Sequence, residues 1–156
     1  MELRLIAVGR RMPGWVEEGW RVFARRMPSQ LRLRLLEVPL ARRTGRRNIN
    51  TVLAEEGERI LSAAGNARIV ALDCQGSLFT TAELARLMAG WMQDGRDVAL
   101  LAGGPDGLYR DCLTRAEHRW CISPLTLPHM LVRIIVAEQL YRAWTVLQNH
   151  PYHRGG

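Results

Sequence analysis

Two continuous apolar runs, Ile69-Val70-Ala71-Leu72 and Val98-Ala99-Leu100-Leu101-Ala102, constrain the fold more than any other feature of this sequence. Each is bounded by charge and glycine and lacks polar alternation, the pattern of central parallel strands covered on both faces. Leu3 to Val8 reads as a further strand, stopped by Gly9-Arg10-Arg11, and Pro13 opens a helix running to about Met27. Leu31 to Leu35 alternates strictly with Arg32 and Arg34, as expected of a strand with one face in water near the sheet edge. Helices are expected from about Asn48 to Ala64, Thr80 to Gln93 and His129 to Asn149. A helical stretch near Cys112 to His118 precedes a short run, Trp120-Cys121-Ile122. Strands alternating with helices predict one α/β domain over residues 1–156, with an open, mostly parallel sheet of about five strands flanked by helices. A chain of 156 residues buries enough surface to need neither disulfides nor a structural metal.

The last helix is apolar around most of its circumference, through Met130, Leu131, Ile134, Ile135, Ala137, Leu140, Tyr141, Trp144 and Leu147. Such a helix must be covered on several sides. Partial cover by a second subunit predicts a homodimer; full burial within one subunit is the alternative.

All 22 basic residues are arginine. The absence of lysine excludes a Walker A phosphate loop, a pyridoxal Schiff base and any lysine nucleophile. Residues 1–50 hold 12 Arg against 4 Glu, whereas residues 51–156 hold 10 Arg against 11 acids, so the net charge of +7 belongs to the N-terminal third. A localised basic excess suits a polyanion, nucleic acid before a membrane surface; a solvated arginine-rich face is the plainer alternative. Arg42, Arg43, Arg46 and Arg47 surround Gly45 in a segment, Pro39 to Arg47, without apolar periodicity, which reads as a basic loop. Cys74, Cys112 and Cys121 are odd in number and lack paired spacing, which argues against zinc and disulfides and for a reducing compartment. Met1 leads into Glu2 to Val8, too short and too interrupted by charge for a signal or membrane segment. The expectation is a soluble cytoplasmic protein with no metal and no membrane partner.

Three segments follow the carboxyl ends of the most apolar strands: Leu72 to Gly76, Gly103 to Gly107, and Ser123 to Pro128. Open α/β sheets bind ligands at that edge. Gly103 and Gly104 allow close backbone approach to a ligand, or simply make a tight turn. Gly-Gly-Pro-Asp-Gly is not a dinucleotide fingerprint, because its spacing differs and Pro105 lacks an N–H. Ser123, Pro124, Thr126 and Pro128, with Leu125 and Leu127, suit a ligand with apolar and hydrogen-bonding parts, such as a nucleoside. His129 opens the last helix, either as a pocket residue or as an ordinary first-turn residue. Tyr152, His153 and Arg154 form a tail able to stack on an unpaired base and hold phosphate, with a disordered terminus as the alternative.

Ala7-Val8-Gly9, Leu72-Asp73 with Gly76, Gly103 to Gly107, Ser123 to His129, Arg133, Glu138 to Ala143 and His150 to His153, taken in order, closely resemble the bacterial large-subunit rRNA pseudouridine N3-methyltransferase (RlmH) family of the SPOUT class. The resemblance implies an S-adenosylmethionine-dependent enzyme with an α/β fold, a C-terminal trefoil knot and a homodimeric state. It places the cofactor on Leu72, Gly103, Gly104 and the stretch Ile122, Ser123, Pro124, Leu125, Thr126, Leu127, Pro128. It implies a pseudouridine in an rRNA hairpin loop of the assembled ribosome as substrate, and a cofactor pocket completed by the partner's C-terminal tail. His129 and His153 are candidates to take the N3 proton, and Arg142 and Arg154 to favour the deprotonated imide. Arg10, Arg11, Arg42, Arg43, Arg46, Arg47 and Tyr152 are the candidate RNA contacts. Family members commonly carry lysines in the two basic loops, where this chain has arginine; Gly155 and Gly156 extend past the motif. A non-catalytic RNA-binding or ribosome-assembly factor, and a methyltransferase of another RNA, are the alternatives.

Overall fold

A computed structural model describes residues 1–154; Gly155 and Gly156 lie outside the described residues. The strands are β1 (Glu2–Val8), β2 (Arg32–Val38), β3 (Arg68–Leu78), β4 (Val98–Ala102) and β5 (His118–Cys121). They form one parallel sheet in the order β2-β1-β4-β3-β5. The helices are α1 (Gly14–Ala24), α2 (Ile49–Ala64), α3 (Thr81–Asp94), α4 (Arg110–Arg115) and α5 (His129–Leu147), followed by a 3-10 turn at Pro151–Arg154.

The apolar runs behave as their lack of alternation requires. Leu3, Leu5, Leu100 and Ala102 pack on one face of the sheet against Trp20, Met88, Val136 and Leu140 from α1, α3 and α5. Ile6, Val8, Ala99 and Leu101 point the other way, toward Ile60 and Ala64 of α2 and Cys112 of α4. The sheet is thus sandwiched between helical layers, and every residue of β4 is buried. β2, with Arg32 and Arg34 exposed, is an edge strand as the alternation predicts.

Four boundaries differ from the sequence reading. α1 stops at Ala24, short of Met27, and α4 is a single six-residue turn over Arg110–Arg115. The short strand there is His118–Cys121 in place of Trp120 to Ile122. The expected loop after Leu72 is a continuation of β3 to Leu78, with a bulge against β5 between Leu72 and Ser77. Gly76 permits this: a Cβ there would sit 2.4 Å from the Arg119 carbonyl oxygen, so only glycine lets the strands approach. A bulge at this point bends the strand end beside a cleft.

α5 buries Arg133, Val136, Ala137, Leu140, Tyr141, Ala143 and Thr145, while Met130, Leu131, Ile134, Ile135 and Trp144 are half-buried. α1 lies close against it, since a Cβ on Gly19 would come 2.8 Å from the Ile134 side chain. No described helix is long and apolar enough to cross a membrane.

Candidate functional site

The carboxyl ends of β3, β4 and β5 open into one cavity of about 430 Å³. Its lining contains Leu72, Gly103, Gly104, Ile122, Ser123, Pro124, Leu125, Thr126 and Leu127, nine of the ten expected cofactor residues, together with His129. Pro128, the tenth, caps α5 just outside that lining. Asp73 and Cys74, from the expected Leu72–Gly76 segment, also face the cavity, as do Ala102, Trp120, Cys121 and Val132, which were not singled out as site residues in the sequence. The position of Ala102 and Trp120 at the carboxyl ends of their strands, and the four-residue step from Pro128 to Val132 along one helix face, were the available signals.

Each wall is fixed by its local chain. The Gly103–Gly107 turn closes with a Gly107 N–H to Gly104 carbonyl bond of 3.0 Å, and Gly107 has φ +86°. A Cβ on Gly103 would lie 2.3 Å from the Gly107 carbonyl. In the third wall, the Ser123 hydroxyl accepts from the Leu125 N–H at 3.0 Å, and the Cys121 thiol donates to the Ser123 carbonyl at 3.2 Å. The Arg119 Nε donates to the Asp73 carboxylate at 2.7 Å, and Asp73 also accepts the Gln75 N–H at 3.2 Å, which holds the β3 bulge.

His129 reaches across to β1. Its Nε2 lies 2.9 Å from the Val8 carbonyl, which can only accept, so Nε2 carries the hydrogen and Nδ1 is left as the acceptor. Arg133, one turn further and fully buried, donates to Glu37 at 2.7 Å and to the Gly9 carbonyl at 2.9 Å. This residue was quoted in the sequence only as part of a resemblance; its anchoring role depends on partners on two strands.

The other expected catalytic groups lie away from the cavity of their own chain. The Arg142 Nε donates to Glu138 at 2.8 Å, and its guanidinium sits 5.0 Å from the centre of the Tyr152 ring. The Tyr152 hydroxyl donates to the same carboxylate at 3.1 Å, and its ring meets Tyr141 edge to face. Burial, then the Glu138 charge, raises the Tyr152 phenol above its usual range. His153 is half-buried, its Nδ1 without a hydrogen-bond partner among the described residues, and Arg154 is exposed. Tyr152 thus folds back to the level of Glu138 and Tyr141, 9 and 12 residues beyond His129, or roughly 14 and 18 Å along the helix axis.

The basic residues are divided. Arg10 and Arg11 are exposed after β1, and Arg42 and Arg46 after β2, at the carboxyl edge that also carries the cavity. Arg43 and Arg47 are engaged, Arg43 with Glu56 and Asp106 and Arg47 with Glu55.

A family model described as "Predicted SPOUT methyltransferase" matches residues 1–153. Among curated proteins, the "Ribosomal RNA large subunit methyltransferase H" of Alkalilimnicola ehrlichii is 57% identical over 154 residues, covering 99% of both chains. The protein of the same name from Methylococcus capsulatus is 54% identical over 155 residues, covering 99% of this chain and all of its own. Among solved structures, a probable methylase family protein from Haemophilus influenzae superposes with a TM-score of 0.57 at 13% identity, over 97% of this chain and 69% of that one. A probable methyltransferase from Bordetella pertussis gives 0.54 at 16% identity, over 90% and 95%. These two likenesses are of fold.

Proposed function

This chain belongs to the SPOUT methyltransferase family, and we propose that it methylates N3 of a pseudouridine in large-subunit rRNA, on the assembled ribosome, using S-adenosylmethionine. In this reading residues 1–156 are one methyltransferase domain working in the cytoplasm. The observation that carries it is the convergence of three strand ends on a single cavity of about 430 Å³.

The cavity fits that cofactor. Its volume is in the range that holds a drug-sized ligand, and Leu72, Ile122, Leu125, Leu127 and Val132 offer apolar walls for a purine. The backbone of residues 122–128 and the Ser123 hydroxyl offer polar groups beside them. When bound, S-adenosylmethionine supplies a methyl group on a positively charged sulfur, already activated toward a nucleophilic nitrogen. The remaining tasks fall to the chain: aligning the base with that methyl, excluding water, and taking the N3 proton. His129, with Nε2 committed to Val8, has Nδ1 to receive a proton at the cavity wall. Arg10, Arg11, Arg42 and Arg46, exposed and without an ion-pair partner among the described residues, offer cations to phosphates at the same edge.

Arg142, Tyr152, His153 and Arg154 join this reading through a second copy. Their distance from the cavity of their own chain favours a homodimer in which one chain's tail completes the other's site. The half-buried apolar residues of α5 and the exposed Trp15 and Val22 of α1 are surface suited to such a partner.

Methyl transfer to ribosomes lacking the modification, compared with free rRNA and followed by mass-spectrometric mapping, tests the substrate. Product on N3 of a pseudouridine in the ribosome alone is expected; no binding of S-adenosylmethionine in calorimetry overturns the reading. Mixing His129→Ala with a chain truncated before His150 tests the composite site. Activity regained in the mixed dimer is expected, and a mixture that dimerises yet stays inactive assigns the tail to its own chain.

A further inference from the structure

We propose that Arg43 is a positioning residue that couples the basic loop to the glycine turn of the cavity, so that RNA held on the loop tightens cofactor binding. The proposal rests on the function read above.

Four arginines alike in sequence fall into two kinds in the structure. Arg42 and Arg46 are exposed and make no ion pair among the described residues, as expected of groups left for phosphate. Arg43 is also solvent-accessible but is held by two carboxylates. Its Nη1 donates to Glu56 at 2.8 Å and its Nε to Asp106 at 2.9 Å, so one planar guanidinium bridges α2 and the turn. Glu56 is 2% exposed and also accepts the Ala41 N–H at 2.9 Å, which anchors the start of the loop. Arg47 closes the other end of the loop on Glu55.

The turn rests on this pair. Asp106 belongs to it, and a Cβ on Gly104 would come within 3.4 Å of both the Arg43 guanidinium and the Glu56 carboxylate. Among the described residues, Arg43 is the only side chain with a hydrogen bond to any residue from Gly103 to Gly107. Four of those five residues line the cavity. The basic loop therefore supplies the side-chain anchor of the cofactor wall.

Phosphates held by Arg42 and Arg46 restrict the loop between its two anchors, and Arg43 with it. Its bond to Asp106 then fixes the turn before cofactor arrives, so less ordering remains to be done when cofactor binds. Linkage makes the effect reciprocal: cofactor must tighten RNA binding by the same factor.

Asp106→Ala tests this while leaving the Arg43–Glu56 ion pair in place, because Asp106 is exposed and lies on the other side of the guanidinium. S-adenosylhomocysteine, which gives no turnover, is measured by equilibrium dialysis with and without saturating bacterial ribosomes. The full-length protein is expected to bind it about tenfold tighter with ribosomes, within the usual range of such couplings. Asp106→Ala should bring the factor close to one at an unchanged melting temperature. Arg43→Lys, which cannot bridge both carboxylates, should do the same. Arg42→Ala with Arg46→Ala should weaken ribosome binding and leave the ribosome-free affinity as it was. Full coupling in Asp106→Ala, or no coupling in a wild-type protein that binds both ligands, overturns the proposal alone. A wild-type protein that binds no S-adenosylhomocysteine overturns the functional reading and this proposal with it.

Discussion

His129 and Val8 are 121 residues apart in sequence and joined by a 2.9 Å hydrogen bond from the imidazole Nε2 to the strand carbonyl. The bond fixes the tautomer and ties the first turn of α5 to the end of β1, beside the cavity. His129→Ala is expected to cost about 1 kcal/mol of stability, the net worth of one such bond. His129→Gln can still donate to Val8 and should recover most of that in urea unfolding. If Nδ1 takes the N3 proton, both variants should be slowed about 100-fold or more in single-turnover methylation at saturating cofactor. A His129→Gln enzyme at wild-type rate would remove the imidazole from the chemistry.

Arg133 is fully buried, and its charge is met by Glu37 and the Gly9 carbonyl. Glu37→Gln leaves that guanidinium without its counter-charge. Its expected cost is about 2 kcal/mol, below that of breaking a fully buried pair because Glu37 is partly exposed. Arg133→Met, which removes the buried charge and keeps the stem, should be better tolerated than Arg133→Ala. Chemical unfolding of the three variants checks the order.

Gly103→Ala places a methyl 2.3 Å from the Gly107 carbonyl, a backbone contact that no rotamer relieves. The turn must open, so cofactor affinity should fall more than tenfold in calorimetry while the far-ultraviolet circular dichroism of the sheet and helices is retained. Wild-type affinity would show that the turn can shift without consequence for the cavity.

Burial pushes the Cys112 thiol up to about 11, with the neighbouring Asp111 charge acting in the same sense. An unfolded chain ionises this thiol at an ordinary pH while the folded chain resists. The unfolded state therefore binds fewer protons between the two values, and stability must fall as pH rises from about 9 toward 11. Cys112→Ala should show a shallower decline than wild type in urea midpoints taken across that window. Equal slopes would deny the thiol a part. Cys74, exposed at the cavity wall, should be the fast-reacting thiol, and bound cofactor should protect it.

The sheet was legible because burial on both faces leaves a local mark: Val98 to Ala102 has no polar residue to place it elsewhere. The three cavity walls followed from strand ends and loop composition. Asp73 to Gly76 was misread as a loop because the strand continues only through a bulge, after which Ser77 and Leu78 pair with Trp120 and Cys121, and none of this shapes a period within the segment. The difference between Arg42 and Arg43 was hidden for the same reason. It lies in Glu56 and Asp106, 13 and 63 positions away, and ion pairs across such distances leave no periodic trace. Arg133 is set apart in the same way by Glu37, 96 positions earlier.

The strand order carries a consequence for the birth of the chain. β1 and β2 are made first and pair with each other, but the strand that covers the other side of β1 is β4, whose Val98 follows Val38 by 60 positions. At ribosomal elongation rates that interval lasts roughly 3 to 12 seconds. Throughout it, Leu3, Leu5 and Ala7 belong to a half-built sheet in which the β1 edge that β4 will cover is still open. A helper that shields emerging apolar strands should therefore engage nascent chains ending between residues 40 and 98, and release them once β4 is in place.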